Sequence, residues 1–221
     1  MQERLKGLAA AVLVYALIIV NQLGIAFAIR FVTFDWLTTS LLCLYILGIA
    51  VLIFWLGQKL DLLGTSFAPI KKHLGLIFIA YACIFANNLL AGLILTGTGG
   101  SDPANQVTVM KVMSLLPSSV MLCMTIVFAP ISEEVLCRGI IPRLVFKGYE
   151  KFGYLVGAFI FALLHNLNDL TSPISWLIYG GMSLIITFLA YRTKHLEVSM
   201  GLHVLVNSIA MLMILFLKSF V

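Results

Sequence analysis

Three short polar groupings stand in the second half of a chain that is otherwise largely apolar. Glu133 and Glu134 are adjacent and are followed by Arg138; His165 comes four residues after Phe161; His203 precedes Asn207 by four residues. On a helix Glu134 and Arg138 are i,i+4 neighbours and can pair, whereas Glu133 points about 100° away and has no local partner. His203 and Asn207 share one helix face. A carboxylate and an imidazole meeting in a partly dry cavity make a water-activating pair, with Glu133 as general base and His165 orienting the water or shuttling its proton. His203 and Asn207 supply hydrogen-bond donors for a developing oxyanion, and one such donor is worth about 2.7–4 kcal/mol in known hydrolases. The pattern describes amide hydrolysis by activated water without a covalent intermediate. No metal or other cofactor is expected, although two His and a Glu can form an open zinc site. If the chemistry is zinc-dependent, its ligands are Glu133, His165 and His203.

Each grouping also has a purely structural reading. Glu133–Arg138 could be a solvated helix at the membrane edge, His165 a satisfied core histidine, and His203 with Asn207 interhelical glue. Depth argues for convergence instead. Glu133 lies 14 residues before Lys147 and His165 lies 14 residues after Lys151, so each is roughly 21 Å of helix inward from a shared basic turn. Helices joined by so short a turn are expected to be antiparallel neighbours. His203, nine residues past Lys194, is about 13 Å in and within reach if its helix tilts. An ionised side chain at the bilayer centre costs about 2.5–3.5 kcal/mol on the insertion scale, which makes such a residue a functional candidate. Other protease chemistries lack their signatures: there is no His-Glu-x-x-His run and no Gly-x-Ser-x-Gly elbow.

The elements that must position these groups follow from composition. Of 221 residues, 62% are hydrophobic and 10% charged, against roughly 45–50% and 25% in soluble domains. Too few polar residues exist to cover a soluble surface, and the apolar content excludes disorder. The expected fold is all-α, a polytopic transmembrane bundle of seven or eight helices. Candidate spans of about 20 residues are Leu8–Ile29, Leu37–Leu56, Leu74–Leu95, Val112–Pro130, Phe152–His165, Ile174–Tyr191 and Val198–Leu217. Ile131–Phe146 is ambiguous, because Pro130 can kink a membrane helix without ending it. Cys43, Cys83, Cys123 and Cys137 all sit in apolar stretches without a CxxC pair and read as small buried hydrophobes.

The net charge of +5 is spread in short clusters at the ends of apolar runs, a membrane-topology pattern rather than a nucleic-acid one. With a cytoplasmic N-terminus, Arg4, Lys6, Lys59, Lys71, Lys72, Arg138, Arg143, Lys147, Lys151, Arg192 and Lys194 fall inside, and only Arg30, Lys111 and Lys218 outside. That 11 to 3 division favours this orientation. The Gly-rich stretch Thr96–Lys111 then reads as an exterior flexible connector. The N-terminal run, too long for a typical signal peptide, reads as an uncleaved first span.

Glu133-Glu134-xxx-Arg138, Phe161-xxx-His165 and His203-xxx-Asn207, in that order, resemble the three motifs of the CPBP family. This family groups CAAX prenyl endopeptidases of the Rce1 type with bacteriocin-processing and self-immunity (Abi) proteins. The resemblance covers roughly Pro117–Met213, which divides the single membrane domain into residues 1–111 of unassigned role and a catalytic core over 112–221. It implies a cavity open to the cytosol, with Glu133 as catalytic base and His165 as its partner on the water. It further implies His203 and Asn207 at the oxyanion, and Glu134 and Arg138 structuring the site. The function expected is an intramembrane endopeptidase in a bacterial cell membrane, acting on a membrane-anchored protein or peptide precursor, with lipid as its other partner and no nucleic acid. Two alternatives differ in kind: a non-enzymatic immunity or regulatory scaffold of the Abi type, and a small transporter using Glu and His as a proton relay. The transporter lacks visible inverted repeats.

Overall fold

The computed structural model describes residues 2–218, with Met1 and residues 219–221 outside the described set. The described chain is an all-α bundle without a strand: α1 Gln2–Phe31, α2 Trp36–Lys59, α3 Ala68–Lys72, α4 Leu74–Thr98, α5 Ala104–Leu115, α6 Ser118–Val145, α7 Glu150–Asn166, α8 Pro173–Thr193 and α9 Leu196–Lys218. Six of these, α1, α2, α4, α6, α8 and α9, are long and apolar enough to cross a membrane. Large apolar side chains such as Leu23, Phe27, Leu44, Phe78 and Phe85 face outward, as lipid-facing helices require. The chain is an integral membrane protein. Of the seven spans expected, the stretch Phe152–His165 falls on α7, whose 17 residues reach only about 25 Å.

Two boundaries differ from expectation, both at prolines. The expected span Val112–Pro130 is broken at Leu116, which is extended (φ −116°, ψ 148°), because the ring of Pro117 disfavours helix in the residue before it. Val112–Leu115 therefore close α5, and the membrane helix runs from Ser118 through Pro130 to Val145, absorbing the ambiguous segment Ile131–Phe146. The stretch Thr96–Lys111 is also more ordered than a flexible connector. α4 continues to Thr98 and is capped by Gly99 at φ 65°, a conformation glycine adopts without penalty. α5 then begins at Ala104, directly after Pro103. At the start of α2, Asp35 and Thr38 form a capping box. The bond from the Thr38 amide holds the Asp35 carboxyl below its usual range.

The basic clusters gather at one end of the bundle. Arg4 of α1 donates to Lys147 O (2.8 Å through Nη2) in the α6–α7 turn, and Glu3 pairs with Lys147 at 3.6 Å. Arg143 reaches Leu62 O and Lys194 O at 3.4 and 3.3 Å, and the His73 and His195 rings lie 6.1 Å apart. Arg30 ends α1 at the opposite end.

α6 is the central helix: half of its most apolar window is buried, against about a fifth for α1, α2 and α4. It is not a uniform α-helix. Wide turns with i→i+5 bonding occupy Cys123–Phe128 and Val135–Val145, and regular helix is kept over Ala129–Glu134. Two prolines explain where the wide turns matter. Ala129 N–H donates to Met124 O and Pro130 has no N–H, so Thr125 O finds neither of its usual helical donors. Within the second wide segment, the i+5 donor that Cys137 O would take is Pro142, again without an N–H. α7 closes on the Cys137 carbonyl through small residues, as membrane helices do. A Cβ on Gly157 would overlap Cys137 O, and one on Gly153 would sit 2.7 Å from Pro142 Cα.

This close approach is testable. Gly157→Ala is expected to lower the unfolding temperature in detergent by about 4–8 °C, from an overpacking cost of about 2 kcal/mol. Gly92→Ala, where nothing lies within 4 Å of an added Cβ, is expected to leave it unchanged or slightly raised.

Candidate active site

The short regular stretch of α6 ends at Glu134, so Glu133 and Glu134 project between two wide segments towards α7, α8 and α9. Glu134 is fully buried and would be an expensive isolated charge. Arg138, also fully buried, donates from Nη1 to Glu134 Oε1 at 3.1 Å. Its other donors go to α8: Nη2 to Ser183 Oγ and O at 2.8 and 3.2 Å, and Nε to Thr187 Oγ1 at 3.1 Å. Ser183 Oγ in turn donates a hydrogen bond to Ala158 O of α7 at 2.9 Å. The guanidinium carbon stands 4.3 Å from the Phe161 ring centre, a cation–π contact. One arginine thus joins α6, α7 and α8.

His203 of α9, 2% exposed, attaches to the same carboxylate: its Nδ1 lies 3.1 Å from Glu134 Oε1. A carboxylate oxygen accepts, so the hydrogen bond assigns the proton to Nδ1 and turns Nε2 towards Glu133. That Nε2 stands 3.7 Å from Glu133 Oε2. His165 repeats the arrangement from α7. Its Nδ1 lies 2.9 Å from Phe161 O, an acceptor, and its Nε2 stands 4.0 Å from Glu133 Oε2. Two imidazole Nε2 atoms and one carboxylate oxygen therefore converge, each imidazole held from behind. The side chains of Glu133 and His165 are 23% and 22% exposed, while Glu134 and His203 are sealed behind them.

The separations say what this cluster can hold. At 3.7 and 4.0 Å the groups are too far apart for direct hydrogen bonds and suitably spaced for a shared water at about 2.8 Å from each. Tetrahedral zinc bonds of about 2.0–2.1 Å would bring adjacent ligand atoms to about 3.3 Å. No three His, Cys, Asp or Glu side chains among the described residues are arranged to hold a metal ion, so Glu133, His165 and His203 do not fit the zinc set as they stand.

Asn207 has a partner that sequence spacing does not reveal. Its Nδ2 donates to Thr125 O at 2.8 Å, the carbonyl that Pro130 leaves without a helical donor, and its second amide hydrogen remains. Sequence reasoning also missed Tyr179, Ser183 and Thr187, which lie at i, i+4 and i+8 on α8. A polar stripe at helical spacing in an apolar span was the available signal. Ser199 stands beside Glu134 with its hydroxyl given to Leu196 O at 3.0 Å. Glu134 Oε2 is buried without a hydrogen-bond partner. Two apolar grooves, one between α1 and α2 and one between α4 and α8, lie away from these residues on the lipid-facing surface.

Comparison with known proteins points to the same segment. Residues 115–209 match the family described as Rce1-like, type II CAAX prenyl endopeptidase, an interval that holds all seven residues of the three motifs. The UPF0177 protein YvdC of Lactococcus lactis subsp. lactis (strain IL1403) is 30% identical over 153 residues, 69% of this chain and 55% of that protein. The chain therefore spans about half the length of this curated relative. No solved structure matches. Motifs and family model thus agree on residues 115–209, the segment over which this chain is similar to the Rce1-like proteins.

Proposed function

We propose that this protein is an intramembrane endopeptidase of the glutamate type, hydrolysing a peptide bond in a membrane-associated protein or peptide precursor. The observation that carries this reading is the convergence of His165 Nε2 and His203 Nε2 on Glu133 Oε2 at 4.0 and 3.7 Å. Glu133 takes a proton from a water that His165 helps to orient, and the hydroxide attacks the scissile carbonyl. Carbonyl π electrons move to oxygen and form a tetrahedral oxyanion. His203, protonated and balanced by Glu134 behind it, donates from Nε2 to that oxygen, and the second Nδ2 hydrogen of Asn207 adds to it. Collapse expels the amine, which takes the proton held on Glu133. Every proton is returned and no covalent intermediate forms. The 3.1 Å bond between Glu134 and Arg138 supports a structuring role for both, since neither faces the opening.

The reading includes a bacterial cell membrane and a cytoplasmic N-terminus, supported by the gathering of basic residues at the end of the bundle where α1 begins. It places the opening of the site towards the cytosol.

Glu133→Gln is expected to reduce cleavage by about 10²–10⁴-fold, the span of general-base contributions, with membrane expression unchanged. The measurement is a comparison of membrane peptides in cells carrying wild type or Glu133→Gln, where uncut precursors accumulate only in the variant. Identical peptide profiles with an intact phenotype would instead favour an immunity or regulatory scaffold. Cleavage of a precursor so identified by the purified protein is expected to persist in strong chelators. Loss of activity that zinc restores would overturn the metal-independent mechanism.

A further inference from the structure

His165 is held by more than its backbone bond. Its ring lies between two aromatic rings, stacked on Phe161 at 4.4 Å (24° between planes) and on Tyr179 at 5.0 Å (27°). Phe161 comes from the same helix one turn earlier and belongs to the Arg138 cluster. Tyr179 comes from the wide turn Trp176–Gly180 of α8, where the backbone is least regular. Its hydroxyl is engaged in turn: Asn105 Nδ2 of α5 donates to Tyr179 Oη at 3.0 Å. A side chain from outside the family-matched segment thus fixes the outer ring of the sandwich.

We propose that Tyr179 is a positioning residue for His165, clamped by Asn105 of α5, and that this stack sets the direction in which His165 Nε2 faces Glu133. The inference rests on the proposed hydrolysis for its kinetic consequence, though not for its structural one. A histidine sandwiched between parallel rings loses freedom about its terminal torsion, which is broad for this side chain when unrestrained. Its Nδ1 bond to Phe161 O fixes the height of the ring and the stack fixes its plane. Together they leave one direction for Nε2. Small misplacements of a reacting group can cost on the order of 10²-fold in rate, so an unclamped imagined rotation of the ring matters more to turnover than to binding.

The clamp is tested by Tyr179→Leu, Tyr179→Phe, Asn105→Ala and the Tyr179→Phe/Asn105→Ala double variant, each checked for folding by thermal unfolding. Tyr179→Leu is expected to lower kcat by about 10–100-fold with KM within about 2-fold. Tyr179→Phe keeps the ring and rescues most of that loss. Tyr179→Phe and Asn105→Ala remove the same hydrogen bond, so each loses about 3-fold and the double variant loses no more than either. Nitrogen NMR of labelled histidine in the full-length protein gives a readout independent of turnover: in Tyr179→Leu the His165 Nδ1 and Nε2 shifts move towards the tautomer mixture of a free imidazole, and in Tyr179→Phe they stay. Unchanged His165 shifts in Tyr179→Leu would overturn the clamp, as would additive losses in the double variant. Absence of any cleavage by wild type would overturn the proposed function instead, while the NMR result still decides the clamp. Should Tyr179→Leu fail to fold, the additivity of the losses in Tyr179→Phe, Asn105→Ala and the double variant decides it.

Discussion

The site depends on the burial of Arg138. A guanidinium without water must have its donors satisfied, and here Glu134, Ser183 and Thr187 take them while the Phe161 ring covers one face. Removing one partner of a buried ion pair costs about 3–5 kcal/mol, because the charge left behind has no compensation. The pair does not necessarily stabilise the fold relative to apolar residues of the same size. Its value is specificity of arrangement: α6, α7 and α8 have one relative placement that satisfies Arg138. Glu134 then carries the constraint to α9, since the oxygen that accepts from Arg138 also accepts from His203.

The backbone of α6 makes room for this arrangement. Pro130 leaves Thr125 O without a helical donor, Pro142 has no N–H to offer Cys137 O in the wide-turn register, and both carbonyls meet a neighbouring helix. Thr125 O takes the Asn207 amide of α9, and Cys137 O meets the bare backbone of Gly157 on α7, a close approach of the kind that weak Cα–H contacts favour. In a bilayer core no water is available to satisfy such groups. The irregularity of α6 is therefore linked to the positions of the helices that carry His165, His203 and Asn207. Glu133, on the regular stretch between the two wide segments, points at their meeting place.

Much of this was legible in the sequence because charge in an apolar chain is costly enough to carry information. The i,i+4 spacing of Glu134 and Arg138 implied their pairing, and equal depths along helices joined by a short basic turn brought Glu133 and His165 together. The remainder was hidden for specific reasons. The course of the helix past Pro130 was ambiguous in the sequence, because proline has opposite effects at Leu116–Pro117, where the chain turns extended, and at Pro130, where wide turns absorb it. Asn207 read as an oxyanion donor on its spacing from His203, whereas its bond to Thr125 O arises from a backbone defect that no local pattern displays. Arg138 was paired correctly, but its reach to Ser183 and Thr187, 45 and 49 residues away, depends on the packing of α8. The stripe Tyr179, Ser183 and Thr187 was present in the sequence and is the signal that best repays attention in chains of this composition.

The central claim is that the Glu134–Arg138 pair positions His203 and does not simply hold the bundle together. The measurement that tests it most directly is turnover by a Glu134→Leu/Arg138→Leu double variant that has regained the thermal stability lost in Arg138→Leu alone. Replacing both charges removes the uncompensated one, so the account predicts a folded protein in which His203 has no anchor and cleavage stays at least 10²-fold below wild type, on the order expected for a displaced catalytic group. A stable double variant that cleaves as fast as wild type would contradict it.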